Sequence, residues 1–155
     1  MFRELHKIFP TDDVTYNLAN GLIASVGQPP EKDWLDHQER TRVDRAEARR
    51  CLWKVANNES ADSSLQSQAW TNLANQFSGS YRLGEAHDAR LVALEKDPKN
   101  GVAAIGAARE LLWLYRQGNC SEVTLIEAAM MAKVATQHYD CLLYTSPSPR
   151  DKRQS

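Results

Sequence analysis

The chain has 155 residues, 42% of them hydrophobic and 25% charged, with a formal net charge of −1. That is the balance of an ordinary folded domain, not of a disordered segment and not of a nucleic-acid surface, which needs clustered basic charge. No stretch reaches the roughly 18 apolar residues that span a bilayer, so no membrane contact and no direct nucleic-acid binding are expected.

The N-terminal residues, MFRELHKIFPTDD, have no long apolar core and do not read as a secretory signal. Cys51, Cys120 and Cys141 make neither a disulfide framework nor a metal spacing, and His6, His37, His87 and His138 are scattered. A reducing, cytoplasmic interior fits, with no metal and no cofactor.

Residues 1–12 read as an N-terminal extension. A first helix follows, with Leu18, Ala19 and Leu22 on one face. Gly27-Gln-Pro-Pro30 predicts a loop over 26–31, and a long second helix from about Glu31 or Leu35 to Asn57 carries Ala48, Leu52 and Val55 as its apolar stripe. Along it, Arg40, Arg42, Arg45, Arg49 and Arg50 alternate with Glu39, Asp44 and Glu47, the pattern of a solvated face laced with ion pairs. Cys51 falls inside the apolar stripe and reads as a buried thiol. Glu59–Ser64 is a polar linker.

Ser67–Asn100 is 34 residues long and places Trp70, Leu73, Ala74 and Phe77 at helical spacing on one face. Tyr81-Arg-Leu-Gly84 supplies a turn. Ala86, Ala93 and Leu94 line a partner helix that Asp97-Pro98 ends. Arg90 interrupts this apolar side; its stem is expected to cover the core while its charge reaches water. Trp70 is expected to be buried, along with core or inter-helix roles for Trp53 and Trp113; Trp34 has no evident place. Gly101–Gly118 predicts a further helix rich in small residues, Ser121 a cap, and the run from Glu122 to about Asp140 a last helix packing through Ala128, Ala132 and Ala135.

The 34-residue segment resembles the tetratricopeptide repeat at six of eight signature positions; Ala74 replaces the usual glycine and Arg90 the usual aromatic. Asn17-Leu-Ala-Asn20 echoes Asn72-Leu-Ala-Asn75 fifty-five residues later, which suggests an irregular first unit. The resemblance implies an all-α short solenoid of about three antiparallel helix pairs over residues 13–140, in units of about 13–58, 67–100 and 101–138. The residues Cys141–Asp151, CLLYTSPSPRD, resemble the conceptual translation of a transposase-type sequencing adapter. This implies that 141–155 is a non-native, disordered tail, with the natural chain continuing differently beyond residue 140. Residues 142–155 are expected as coil, unless Leu142–Tyr144 prolong the preceding helix by a turn.

YNLANG at Tyr16–Gly21, TNLANQ at Thr71–Gln76, RLGEA at Arg82–Ala86 and ALEKDPKNGVA at Ala93–Ala103 together resemble the repeat region of a HEPN-like family, over roughly residues 13–115. Many HEPN proteins are associated with RNA cleavage through an arginine followed at a short interval by histidine. Arg82 and His87 have such an interval but fall across a repeat turn and read as turn and surface residues, so no catalytic residue is assigned. A ribonuclease domain would lie beyond residue 140.

The repeat resemblance also implies a ligand face. First helices line the concave groove in such folds, which marks Asn17, Asn20, Gln68, Thr71, Asn72, Asn75, Ser78 and Arg109 as candidate contacts. Asparagine is a poor helix former, so four of them inside first helices need a reason. Either the amides contact a peptide backbone, or they bond between adjacent repeats. Three functional readings stand: a protein- or peptide-binding scaffold, the regulatory arm of a truncated ribonuclease, and a structural or self-associating module.

Overall fold

Seven α-helices and no strand make up the described residues, which are 2–26, 34–118 and 121–145 of the computed structural model; Phe2 and the helical residues 25, 26, 34–37 and 138–145 are described by backbone alone. The helices are α1 (Phe2–Ile8), α2 (Asp12–Val26), α3 (Trp34–Ala56), α4 (Ser63–Gly79), α5 (Leu83–Lys96), α6 (Gly101–Arg116) and α7 (Glu122–Thr145). They group into two units, Met1–Leu73 and Ala74–Ser155, whose boundary falls within α4. The predicted loop over 26–31 lies, beyond Val26, outside the described residues, and so does Cys120.

In the first unit α1 packs on α2, and α2 pairs with α3. Thr11 starts α2: its carbonyl accepts from the Thr15 amide at 2.9 Å and from the Thr15 hydroxyl at 2.8 Å. The core is Leu18, Ala19 and Leu22 from α2, Ala48, Leu52, Val55 and Ala56 from α3, and Ala69 and Leu73 from α4. It is closed at one end by Asn58. The Asn58 amide donates to Asp12 Oδ2 at 2.8 Å, its Oδ1 accepts from the Ser60 amide and hydroxyl, and its carbonyl accepts from the Gln66 side chain. One residue thus ties the α3–α4 linker to the start of α2.

The first twelve residues are more than an extension. Residues 2–8 form a helix, and Arg3 reaches Asp44 Oδ1 at 2.7 Å and Glu47 Oε2 at 2.9 Å on α3. The basic-acidic stretch of α3 is therefore only partly a free solvated face; Arg42–Glu39 keeps that character, exposed and one turn apart. Trp70 is half-buried rather than buried, and stands edge-on to the half-exposed Trp53 with centroids 5.4 Å apart at 69°. Cys51 is half-buried too, and burial pushes its thiol above the ordinary range. Trp34 has no described side chain.

The second unit is built on alanine. Ala74, Ala86, Ala89, Ala93, Ala103, Ala104, Ala107, Ala108, Ala128 and Ala135 are all buried, so helix backbones approach closely and little apolar area is removed from water per residue. α5 pairs with α6 and α6 with α7. The α4–α5 turn closes through the Phe77 carbonyl, which accepts from the Ser80 and Arg82 amides. Asn100 caps α6, its Oδ1 accepting from the Ala103 amide at 3.0 Å.

α7 runs to Thr145, the one-turn prolongation through Leu142–Tyr144 that the sequence allowed; residues 146–155 lie outside the described set. One expectation changes here. Ala132 is exposed while Ala128 and Ala135 are buried: only the latter two face α6 squarely. Among the described residues no helix is long and apolar enough to cross a membrane.

Candidate functional site

The largest fully buried side chains of the second unit are an arginine and a glutamate, not hydrophobes. Arg90 on α5 and Glu110 on α6 are each 1% exposed and pair through Arg90 Nε and Glu110 Oε1 at 3.0 Å. This overturns the expectation that the Arg90 charge reaches water. The guanidinium lies over Gly106, four residues before Glu110 on α6. A Cβ at 106 would stand 1.9 Å from Arg90 Nε and 2.1 Å from Cζ. Glycine vacates the volume and Glu110 supplies the countercharge, so the arginine turns inward.

The pair is not fully satisfied. Arg90 Nη1 and Glu110 Oε2 are buried without a hydrogen-bond partner among the described residues. Burial holds the Glu110 carboxyl above the ordinary carboxylate range, against the pull of Arg90 and the weaker one of Arg109. A buried pair of this kind costs desolvation that its attraction only partly repays.

The other terminal nitrogen of Arg90, Nη2, donates to Asn75 Oδ1 at 2.7 Å. That bond assigns the amide orientation: the oxygen faces the buried guanidinium and the Nδ2 donors face away from it. Asn75, Arg90, Val102, Ile105, Gly106 and Arg109 line one pocket of about 190 Å³. Asn75 and Arg109 are exposed at it, as are the apolar Val102 and Ile105. The polar groups it offers outward are therefore N–H donors beside an apolar wall.

The eight candidate contacts fall into distinct settings. Asn75 and Arg109 share this pocket. Asn17 and Gln68, both exposed, share a cavity of about 520 Å³ in the first unit, with Asp12, Asp13, Tyr16 and Asp62 also on its lining. Asn72 and Asn20 meet each other: Asn72 Nδ2 donates to Asn20 Oδ1 at 2.9 Å and to the Tyr16 hydroxyl at 3.1 Å. Thr71 is buried, its hydroxyl donating to the Ser67 carbonyl at 2.8 Å. Ser78 is half-buried.

Arg82 and His87 do not form a joint site. Arg82 engages Glu85 and covers the Phe77 ring at 4.9 Å. His87 is half-buried with Nδ1 enclosed, and burial lowers its pKa below the ordinary value. No cluster of three or more metal-ligating side chains occurs among the described residues.

Sequence reasoning missed Arg90, Gly106 and Glu110 as a set. A signal existed: an arginine on the otherwise apolar side of one helix, then the single carboxylate of the next, beside Arg109 and one turn after a helical glycine. No family model matches the chain, and neither a curated protein nor a solved structure matches it.

Proposed function

We propose that this chain is a non-catalytic, tetratricopeptide-like scaffold that binds an extended peptide segment of a partner protein. The carrying observation is the outward-facing amide of Asn75, oriented by a buried arginine. An alanine core closes more cheaply without an ion pair; the pair makes physical sense as the device that holds Asn75 and denies it the opposite rotamer. With Arg109 beside it, the pocket takes an acceptor, either a main-chain carbonyl or a carboxylate, while Val102 and Ile105 take an apolar neighbour. Support for the repeat reading comes from the turn between α4 and α5 and from the end of α5 just before Asp97-Pro98, although α4 begins four residues ahead of Ser67.

The Asn20–Asn72 bond favours the strut role for those two residues, and Thr71 joins them as a helix-internal group. Asn17 and Gln68 remain candidates for a second contact region of acidic character, in the first unit.

The experiment is selection of a random peptide library on the folded chain, then heteronuclear NMR with the selected sequences. The reading predicts peptides carrying Asp or Glu next to an aliphatic residue, with the largest shifts at the Asn75 side-chain amide, Gly106 and Arg109. Selected peptides of no common character, or shifts that leave those three residues untouched, would refute it.

A further inference from the structure

The second unit carries two exposed apolar features that complement each other. The first is a groove between α6 and α7 of about 480 Å³, walled by Ile105, Leu112, Trp113 and Ala132, with Arg109 and Arg116 at its rim. All six are exposed to some degree, Trp113 by half. The exposed charges of α6 are these two arginines alone, since its one carboxylate, Glu110, is buried. The second feature is a ridge on α7. Val123, Ile126 and Met130 are all at least 60% exposed and recur at three- and four-residue spacing, with the exposed Glu122 and Glu127 beside them.

We infer that the α7 ridge of one copy docks in the α6–α7 groove of a second copy, so that the chain self-associates head to tail. Three matches argue for a second copy as the occupant. Apolar ridge meets apolar groove. The ridge from Val123 to Met130 and the rim from Arg109 to Arg116 each run over eight residues, about 10 Å of helix between their ends. The carboxylates flank the ridge and the guanidiniums flank the groove, so their fields attract and fix register. Lys133 follows the ridge beyond Met130 and lies outside this span. Groove and ridge lie on different faces of α7: Ala128 and Ala135 point to α6 while Val123, Ile126 and Met130 point to solvent. The contact is therefore heterologous, joining unlike surfaces; it makes a ring where the rotation closes and an open filament where it does not.

The test is sedimentation velocity of the whole chain at low salt, up to about 0.5 mM, the weak end of specific association. Wild type should show mass rising with concentration. Glu127→Arg and Arg116→Glu should each abolish or weaken that rise by at least about tenfold, because each sets like charges against one another. Both sites are exposed, and unchanged circular dichroism checks the fold. Mixing the two variants restores opposite charges across the contact, and association should return. A wild type that stays monomeric, association that neither substitution weakens, or a mixture that stays monomeric each overturns the inference. An acidic amphipathic peptide that shifts Leu112, Trp113 and Ala132 of a monomeric chain, rather than the Asn75 amide, would mark a foreign partner in the groove instead, and overturns it likewise.

Discussion

The guanidinium of Arg90 occupies the space that a side chain on Gly106 would need, with Nε 1.9 Å from where a Cβ would stand. Such a clash is cheap when a flexible side chain can swing away, but Arg90 is anchored at both ends of its guanidinium by Glu110 and Asn75. Gly106→Ala should therefore cost about 3 kcal/mol in chemical denaturation, from overpacking and from separating a buried pair. In an Arg90→Ala background the same substitution should cost little, since the space is then open. Equal costs in the two backgrounds would mean that Arg90 and Gly106 do not compete for one volume.

The ion pair should behave as a unit. Arg90→Met alone or Glu110→Leu alone leaves an uncompensated buried charge and should destabilise by about 3–5 kcal/mol. The double variant replaces both charges with apolar groups and should recover most of that loss. Urea midpoints of the four proteins decide it. Additive losses would show that the two side chains act independently.

His87 sets a pH dependence with a defined sign. Burial depresses its folded pKa below the ordinary 6.5, opposed in part by Asp88, a hydrogen bond with the Ala107 backbone and Glu127. The unfolded chain thus binds the proton first. The stability His87 contributes is complete above the unfolded value and is lost as pH falls through the folded one. Glu110 has the opposite sign: its raised pKa favours the fold at low pH, and that contribution is lost as pH rises through the folded value. Melting between pH 7.5 and 5.5 should therefore fall more steeply for wild type than for His87→Gln. Parallel profiles would contradict this.

Tyr81 adopts φ = 59° in the α4–α5 turn, 89% exposed. The left-handed conformation strains a bulky residue, and exposure denies it compensating contacts. Tyr81→Gly should raise stability by about 1 kcal/mol, readable as a higher melting temperature. A lower one would show that the ring makes a contact worth more than the strain.

Much of the helical frame was legible because apolar spacing and punctuation agreed. Leu18, Ala19, Leu22, Ala48, Leu52 and Val55 are buried as their spacing predicts, and Gly84, Asp97 and Asn100 stand near helix ends. α1 was not legible, since the helical spacing of Phe2, Leu5 and Ile8 covers only two turns, too few to hold a helix alone; it shows itself through Arg3, whose partners lie more than forty residues away. The inward turn of Arg90 left only a faint signal, for a related reason. Whether an arginine snorkels or buries depends on whether another helix offers a vacancy and a carboxylate, and both come from α6. Trp70 shows the limit of a repeat pattern: its position implied burial, but its neighbour Trp53 is itself half out of the core. Of the four asparagines, spacing alone could not separate the mutually bonded Asn20 and Asn72 from Asn75, because the difference lies in which partner the amide meets.

The most direct test of the central claim is Asn75→Asp, measured for stability and for binding of a selected acidic peptide. The substituted oxygen still accepts from Arg90 Nη2, so the fold should hold or gain slightly, while the outward donor becomes an acceptor that repels the ligand. The expected result is an unchanged or higher melting temperature together with binding weakened at least about tenfold, roughly 1.4 kcal/mol. Binding that survives unchanged, or that disappears only because the chain melts, would contradict it.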